Sequence, residues 1–181
     1  MLYFRPLKRV LCLATVLIGG AAQAGSLSVD PETFDYLALP ATGLVRVAIT
    51  DASPRFEFKS GVSPFAAFRL PDEPGRYLID VISLLSPPTD PARSRVFYPS
   101  LALLSANYLV VRASEGSSWR FDLPEYAQTI SPGYRLTVEV DRSGPERFMV
   151  VYTAHDADSS TLMGAADAGQ LLIKVTRQAE E

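Results

Sequence analysis

Aromatic side chains near predicted turns are the residues of this chain best suited to binding a ligand. Trp119 is the sole tryptophan, and Tyr108 and Tyr126 lie beside similar turn sequences. Indole and phenol rings stack on the apolar C–H faces of pyranose sugars, while amides and carboxylates bond the hydroxyls. The sequence predicts sugar stacking at these three rings; the alternative is that they pack the core or cover its rim. Further groups near these turns that would assist are Tyr134, Asn107, Asp122 and Glu125.

The only histidine, His155, has neighbours that could make it a catalytic base. Asp156 follows it directly, and Ser159 or Ser160 would be the nucleophile of such a site. Esterases and lipases place that serine on a G-x-S-x-G turn between a strand and a helix, and the chain has no such sequence. We therefore interpret His155 as a surface-loop residue and predict no catalytic residues. A lone imidazole would leave all other zinc ligands to carboxylates, so no zinc site is predicted.

Oxygen-bearing side chains at alternate positions make calcium the one metal to consider. Asp156, Asp158 and Ser160 follow the spacing of calcium loops. Thr161, however, stands where the helix–loop–helix calcium loop has glycine, and Asp167 replaces its bidentate glutamate. We favour a solvated loop and predict no metal and no cofactor, while calcium binding in another geometry stays open.

Acidic residues could also pair as the two carboxylates of a glycoside hydrolase. The available pairs are Glu125 with Glu139 and Asp80 with Asp122. Any acidic domain offers such pairs, so they do not indicate catalysis. Asp80 lies within an apolar run, where alternation places it opposite its inward-facing neighbours. We expect a structural role for Asp80, either facing outward or pairing with an arginine.

Short alternating runs, separated by Pro, Gly, Ser and Asp, must position these groups. Period-two alternation is typical of half-buried strands, as in residues 55–59, where Phe56 and Phe58 would face inward. The predicted strands are 44–49, 55–59, 65–70, 76–83, 96–104, 108–113, 119–123, 134–140, 147–153 and 171–177. Turns at 71–75, 105–107 and 141–146 reverse the chain, the first and last as hairpins, and three prolines make 86–94 a loop.

About nine strands without alternating helices predict an all-β fold, an antiparallel β-sandwich or jelly roll. A short helical turn is expected at 32–39 or 161–169. No internal repeat or long linker divides the chain, so residues 25–177 are expected to form a single domain and residues 178–181 a frayed tail.

The first 24 residues predict the cellular location of the domain. Arg5, Lys8 and Arg9 precede an apolar run, and Ala22-Gln23-Ala24 supplies a cleavage site for signal peptidase. The run is shorter than the ~20 residues of a membrane helix. We therefore expect a cleaved signal peptide, no membrane span and a mature domain in the bacterial periplasm. Cleavage removes Cys12, the only cysteine, and with it disulfide and thiol chemistry.

The charge of the chain argues against nucleic acid as a partner. There are 17 basic and 20 acidic side chains, a net charge of −3. The predicted signal holds three of the basic side chains and no acidic one, which leaves 14 basic and 20 acidic, or −6, for the mature domain. Its arginines form no run that would bind phosphates.

Four sequence blocks carry a family resemblance. They are residues 61–71 with 75–83 (GVSPFAAFRLP and GRYLIDVIS), 96–105 (VFYPSLALLS), 147–153 (RFMVVYT) and 169–175 (GQLLIKV). In this order and spacing they resemble the maltose operon periplasmic protein (MalM) family. The resemblance implies an exported, non-enzymatic accessory of maltose or maltodextrin use, with no catalytic residues to carry over. Longer family members have extra Pro/Ala-rich and helical segments, and contacts made by those segments are not expected here.

These features predict a periplasmic protein that acts by binding. Its expected partner is maltodextrin or another carbohydrate, or a component of an envelope transport system. The alternative is a protein-interaction module of the cell envelope that uses an exposed strand edge or the 86–94 loop. A secreted hydrolase is the third interpretation, in which variants at His155 or Glu125 would lose turnover.

Overall fold

The computed structural model of the chain describes residues 30–58, 61–85, 95–114, 120–122, 133–153, 164–166 and 168–179. The predicted signal peptide and the 86–94 loop lie outside these residues. Among the described residues, no helix has the length and apolar character needed to cross a lipid bilayer.

Strands dominate the described residues, which confirms the all-β prediction. The strands are β1 (Tyr36–Ala38), β2 (Gly43–Ile49), β3 (Arg55–Phe58), β4 (Gly61–Arg69), β5 (Arg76–Leu84), β6 (Arg95–Val96), β7 (Pro99–Ser105), β8 (Val110–Ser114), β9 (Arg120–Asp122), β10 (Gly133–Asp141), β11 (Glu146–Thr153), β12 (Gly164–Ala165) and β13 (Gly169–Arg177). These thirteen include strands at all ten predicted ranges; the other three, β1, β6 and β12, have only two or three residues, too few to show an alternating pattern.

A single helical turn precedes the strands. It is a 3-10 helix at Pro31–Thr33, and the Asp30 carboxylate accepts a hydrogen bond from the Glu32 backbone N–H at 3.0 Å. The proline at its first position fits, since its missing N–H would have no partner there. The helical turn expected at 32–39 therefore ends early, and the rest of that segment supplies β1.

Two sheets build the sandwich. Sheet A has the order β1-β4-β11-β7-β8, with β3 also paired to β4, and sheet B has the order β2-β13-β5-β10-β9. Their strand pairs are antiparallel except for β1 with β4. A separate parallel pair joins β6 and β12.

The turns at 71–75 and 141–146 do not form the predicted hairpins. β4 lies in sheet A and β5 in sheet B, and β10 lies in sheet B and β11 in sheet A, so each turn crosses from one sheet to the other. Turn residues such as Pro, Gly and Asp signal a chain reversal but do not decide whether the two strands pair edge to edge or face to face. The reversal at 105–107 does join paired strands, β7 and β8.

The core lies between the two sheets, where alternate residues of the strands meet. Its least exposed side chains are Ile49, Phe68, Leu70, Tyr77, Ile79, Val81, Phe97, Leu101, Leu103, Leu136, Val140, Met149, Val151, Leu171 and Ile173, all at 1% exposure or less. Each such side chain contributes about 1.5–3 kcal/mol through burial. For these residues, the alternating apolar positions of the sequence are thus the positions that face the opposite sheet.

Candidate functional site

The outer face of sheet A carries a second apolar cluster, whereas the outer faces of sandwiches are usually polar. Its buried members are Phe34, Phe65, Ala67, Ala102, Leu104, Val150 and Tyr152, and its partly buried members are Tyr36, Phe56, Phe58 and Phe148. Strands β4, β7 and β11 are therefore apolar on both faces. Phe56 and Phe58 of β3, which were expected to face inward, pack on this second cluster on the outer face of sheet A rather than between the sheets.

Eight aromatic rings form a continuous network on this face, which we call the aromatic cluster. Its members are Phe34, Tyr36, Phe56, Phe58, Phe65, Tyr108, Phe148 and Tyr152. At one end, the rings of Phe58 and Tyr152 stack with centroids 3.8 Å apart and planes at 3°. Contacts of this kind contribute about 0.5–1.5 kcal/mol beyond the burial of their area.

Small side chains in one row across the sheet let these rings meet. Strand register places Tyr36 beside Ala67, Ala67 beside Val150, and Val150 beside Ala102. Tyr36 on β1 and Phe148 on β11 are separated by the whole width of β4. Their ring centroids nevertheless lie 4.4 Å apart, because the methyl group of Ala67 leaves the space above β4 open.

Three half-buried rings at the other end of the aromatic cluster form what we call the three-ring patch: Tyr36, Tyr108 and Phe148. The Tyr108 and Phe148 rings lie nearly parallel, with centroids 4.9 Å apart and planes at 14°. The Tyr36 and Tyr108 centroids are 6.0 Å apart. The patch therefore combines rings that fix one another in place with ring surface that remains accessible to solvent.

The β7–β8 turn holds Tyr108 in an unusual backbone conformation. Its φ is 59°, and it is the one non-glycine residue with positive φ among the described residues. The Tyr108 backbone N–H donates to the Ser105 carbonyl at 3.0 Å, and the Leu109 N–H donates to Ser105 Oγ at 3.2 Å. Ser105 in turn donates its N–H to the Leu109 carbonyl at 2.9 Å. These three bonds determine where the ring of Tyr108 lies.

Tyr36 is fixed at both ends of its side chain. Its Cα belongs to β1, and its hydroxyl donates to the Pro31 carbonyl at 2.9 Å. Burial raises the pKa of Tyr36 far above its usual value, and the nearby Tyr108 and Asp30 raise it further. The phenol therefore stays neutral and keeps its hydrogen bond throughout the physiological pH range.

Polar side chains border the three-ring patch. Arg69 is exposed and lies directly beside Phe148 in the strand register. Asn107, predicted to assist ligand binding, precedes Tyr108 and is also exposed. A guanidinium and an amide at the rim of an aromatic surface are suited to hydroxyl groups of a ligand that covers the rings.

The structure places the other predicted groups apart from the patch or does not describe them. Tyr108 is the one predicted stacking residue among the described residues; Trp119 and Tyr126 lie outside them, as does Glu125. Tyr134 packs elsewhere, with its ring 5.1 Å from that of Tyr98. Sequence reasoning missed Tyr36 and Phe148, because only the pairing of β1 with β4 and of β4 with β11 brings them together.

Asp80 occupies a structural position rather than an open one. It lies on the outer face of sheet B with 5% exposure, and its Oδ1 accepts a hydrogen bond from Thr137 Oγ1 at 2.6 Å. Its Oδ2 lies 3.9 Å from Arg135 Nη1, so the expected pairing with an arginine is present. Its suggested partner Asp122 has no described side chain, and Glu139 is exposed on β10.

The residues of the metal and catalytic hypotheses lie mostly outside the part of the chain that the structure describes. No group of three or more His, Cys, Asp and Glu side chains in that part of the chain is placed to hold a metal ion. His155 and the possible calcium ligands Asp156 and Asp158 lie outside the described ranges, together with Ser159 and Ser160.

Comparison with known families and with curated proteins gives no match for this chain. No protein-family model matches the chain, and no curated protein matches it.

Proposed function

We propose that this protein is an exported, non-enzymatic binding protein of the bacterial periplasm that recognises carbohydrate. The observation that carries the proposal is the three-ring patch: half-buried aromatic rings held on a rigid sheet, with an arginine and an asparagine at the rim. Such a surface offers stacking area for a sugar ring and hydrogen bonds for its hydroxyl groups.

The maltose-related resemblance of the sequence supports a glucan as the ligand. A glucan presents apolar ring faces and a periphery of hydroxyl groups, which the patch and its rim complement in that order. Binding on a sheet face, rather than in a deep cavity, suits a polymer whose ends extend beyond the protein. Transfer of such a ligand to a transport component of the cell envelope is the role that this resemblance favours.

Titration calorimetry with maltoheptaose tests the proposal. We expect heat of binding at millimolar ligand and a loss of about two- to twelvefold in affinity for Tyr108→Ala, since one aromatic contact contributes about 0.5–1.5 kcal/mol. Leu109→Ala is the matched control, because Leu109 is the next residue, is 68% exposed and is not a member of the apolar cluster. Absence of heat with an intact fold would exclude direct binding of this glucan.

Two further experiments test the non-enzymatic character of the protein and its export. We expect no new reducing ends after prolonged incubation of the protein with maltoheptaose. Protein expressed with its full sequence in a bacterium is expected in the periplasmic fraction, with an N-terminus at Gly25. Release of reducing sugar would favour the hydrolase interpretation, and an uncleaved cytoplasmic product would contradict export.

A further inference from the structure

Most free strand edges of the sandwich are too short or too irregular to pair with another strand. β1 and β9 have three residues each, and β3 has four. β8 is interrupted by a register shift opposite Leu103 and Leu104, which leaves Val111 without a partner residue. On the open side of β10, the Arg112 guanidinium already donates to the Glu139 carbonyl. Such features are the usual means by which sheet proteins prevent unwanted strand pairing.

The edge of β2 has none of these protections. Its seven residues pair with β13 without interruption, from Gly43 opposite Val175 to Ile49 opposite Gly169. In an antiparallel pair, every second residue directs both its N–H and its C=O away from the partner strand. No hydrogen bond of the described residues uses this outward edge of Gly43–Ile49. The edge also contains no proline and no acidic residue.

The side chains of β2 show what an added strand would have to carry. On the inner face, Val45 and Val47 pack against the core but remain only partly buried. On the outer face, β2 carries the exposed Arg46 and Leu44, and the exposed Lys174 of β13 lies between Leu44 on one side and Asp80 of β5 on the other. Within the part of the chain that the structure describes, neither Arg46 nor Lys174 forms an ion pair. The open edge therefore has an incompletely covered apolar side and a cationic side.

We propose that β2 receives an extended segment of a partner protein as an added antiparallel strand, in which apolar residues alternate with acidic ones. The apolar residues complete the core over Val45 and Val47, and the acidic residues face Arg46 and Lys174. Main-chain hydrogen bonds supply affinity and the alternating side chains supply specificity, as in other cases of strand addition. The interaction is transient, because one added strand buries less than the ~1,200 Å² of stable complexes.

Charge favours a partner segment over a second copy of this chain. Two copies of β2, paired about an axis at the middle of the strand, would place Arg46 opposite itself, and β2 has no acidic residue to balance it. Like charges directly opposite one another destabilise a sheet. The inference is independent of carbohydrate binding, because β2 lies in sheet B and the three-ring patch lies on sheet A.

A pair of peptides of opposite charge tests the proposal. The probe is a fluorescent heptapeptide of alternating valine and glutamate, and the control alternates valine and lysine. Fluorescence anisotropy is expected to show micromolar to millimolar binding of the glutamate peptide and at least tenfold weaker binding of the lysine peptide. Amide hydrogen exchange in the complex is expected to slow in β2 and to stay unchanged in β8, the matched edge.

Charge reversal on the protein distinguishes specific strand pairing from nonspecific binding of the peptide. The double variant Arg46→Glu/Lys174→Glu changes two exposed side chains and is expected to fold normally. It should bind the glutamate peptide about tenfold more weakly, because two ion pairs become two repulsions, and should bind the lysine peptide better than the natural chain does. The proposal would be overturned if both peptides bound equally, if amides outside β2 became protected from exchange, or if no binding occurred at millimolar peptide. It would also be overturned if sedimentation without peptide showed a dimer in which the β2 amides are already protected from exchange.

Discussion

At the residue scale, Tyr108 combines a conformational cost with a position that only this conformation provides. A left-handed backbone costs a non-glycine residue about 1–2 kcal/mol, and the three hydrogen bonds around Ser105 maintain it. The ring of Tyr108 consequently lies over Phe148 rather than along the strand. Strained residues that persist in a fold are concentrated at binding and catalytic sites, which agrees with the function proposed for Tyr108.

Two substitutions at Tyr108 separate the ring from the backbone. Tyr108→Ala removes the ring and keeps the strain of a positive φ, whereas Tyr108→Gly removes the ring and relieves the strain at the same φ. We expect Tyr108→Gly to be more stable than Tyr108→Ala by about 1 kcal/mol, and both to lose ligand affinity equally. Urea unfolding and calorimetry measure the two quantities. Equal stability of the two variants would contradict strain at this position.

Tyr36 predicts a change of stability in alkaline solution. Its pKa is raised by burial, so the folded protein keeps the phenol protonated at pH values where the unfolded chain ionises it. The contribution of Tyr36 is therefore complete below pH ~10 and is lost as pH rises above that value. Tyr36→Phe loses the hydrogen bond to Pro31 at neutral pH, and the difference in unfolding free energy from the natural chain should narrow above pH ~10.

Denaturant unfolding of both proteins at a series of pH values measures this difference. The tyrosinate absorbance of the folded protein provides the control, since Tyr36→Phe should remove one group that ionises late. Parallel pH profiles of the two proteins would show that Tyr36 ionises in the folded state as easily as in the unfolded chain.

At the scale of elements, the aromatic cluster depends on the small residue that β4 places between two rings. Ala67 is 5% exposed and lies between Tyr36 and Val150 in the register. A larger side chain there would occupy the space in which the Tyr36 and Phe148 rings meet. The three-ring patch is thus a property of three neighbouring strands rather than of any one of them.

Substitution of Ala67 by leucine tests this dependence. Overpacking of a buried position costs about 1–3 kcal/mol, and displacement of Tyr36 from Phe148 should also weaken the proposed binding of carbohydrate. Ala48→Leu on the exposed outer side of β2 is the matched control and is expected to change stability by less than about 0.5 kcal/mol. Thermal unfolding measures the change in stability of both variants, and calorimetry with maltoheptaose measures affinity. An Ala67→Leu variant with full affinity would show that contact between the two rings is not required for binding.

The sequence allows the strands to be predicted far better than their partners. Alternation at Ile79 and Val81, or at Leu171 and Ile173, reports a buried face and hence a strand. Nothing local distinguishes the 71–75 turn, which joins two sheets, from the 105–107 turn, which joins two paired strands. The same limit applies to the site: Tyr108 could be singled out beside a turn, but its neighbours Tyr36 and Phe148 are distant in sequence and meet only through strand order.

At the scale of the whole molecule, one arginine joins the two sheets at an open side. Arg112 on β8 lies 3.0 Å from the Glu146 carboxylate and also donates to the Glu139 carbonyl on β10. The Glu146 side chain is 10% exposed and that of Arg112 is 47% exposed. Because sheet A and sheet B share this contact, its loss affects how the sandwich closes.

Removal of Arg112 should therefore cost more than removal of a surface ion pair. We expect Arg112→Ala to lower the free energy of unfolding by about 1–3 kcal/mol, since it leaves a mostly buried carboxylate without its cation; the partial exposure of Arg112 keeps the value below that of a fully buried pair. Arg76→Ala, which breaks an exposed pair with Asp141, is the matched control and should cost less than about 1 kcal/mol. Equal losses in urea unfolding would contradict a joining role for Arg112.

The position of β13 determines when this protein can fold. β13 lies between β2 and β5 in sheet B, so these two early strands are not paired with each other. A ribosome makes β13 after every other described strand. A growing chain therefore cannot complete sheet B until synthesis has passed Arg177, and long-range pairing of this kind is slow. Such a delay would leave the nascent polypeptide without a completed sandwich throughout synthesis.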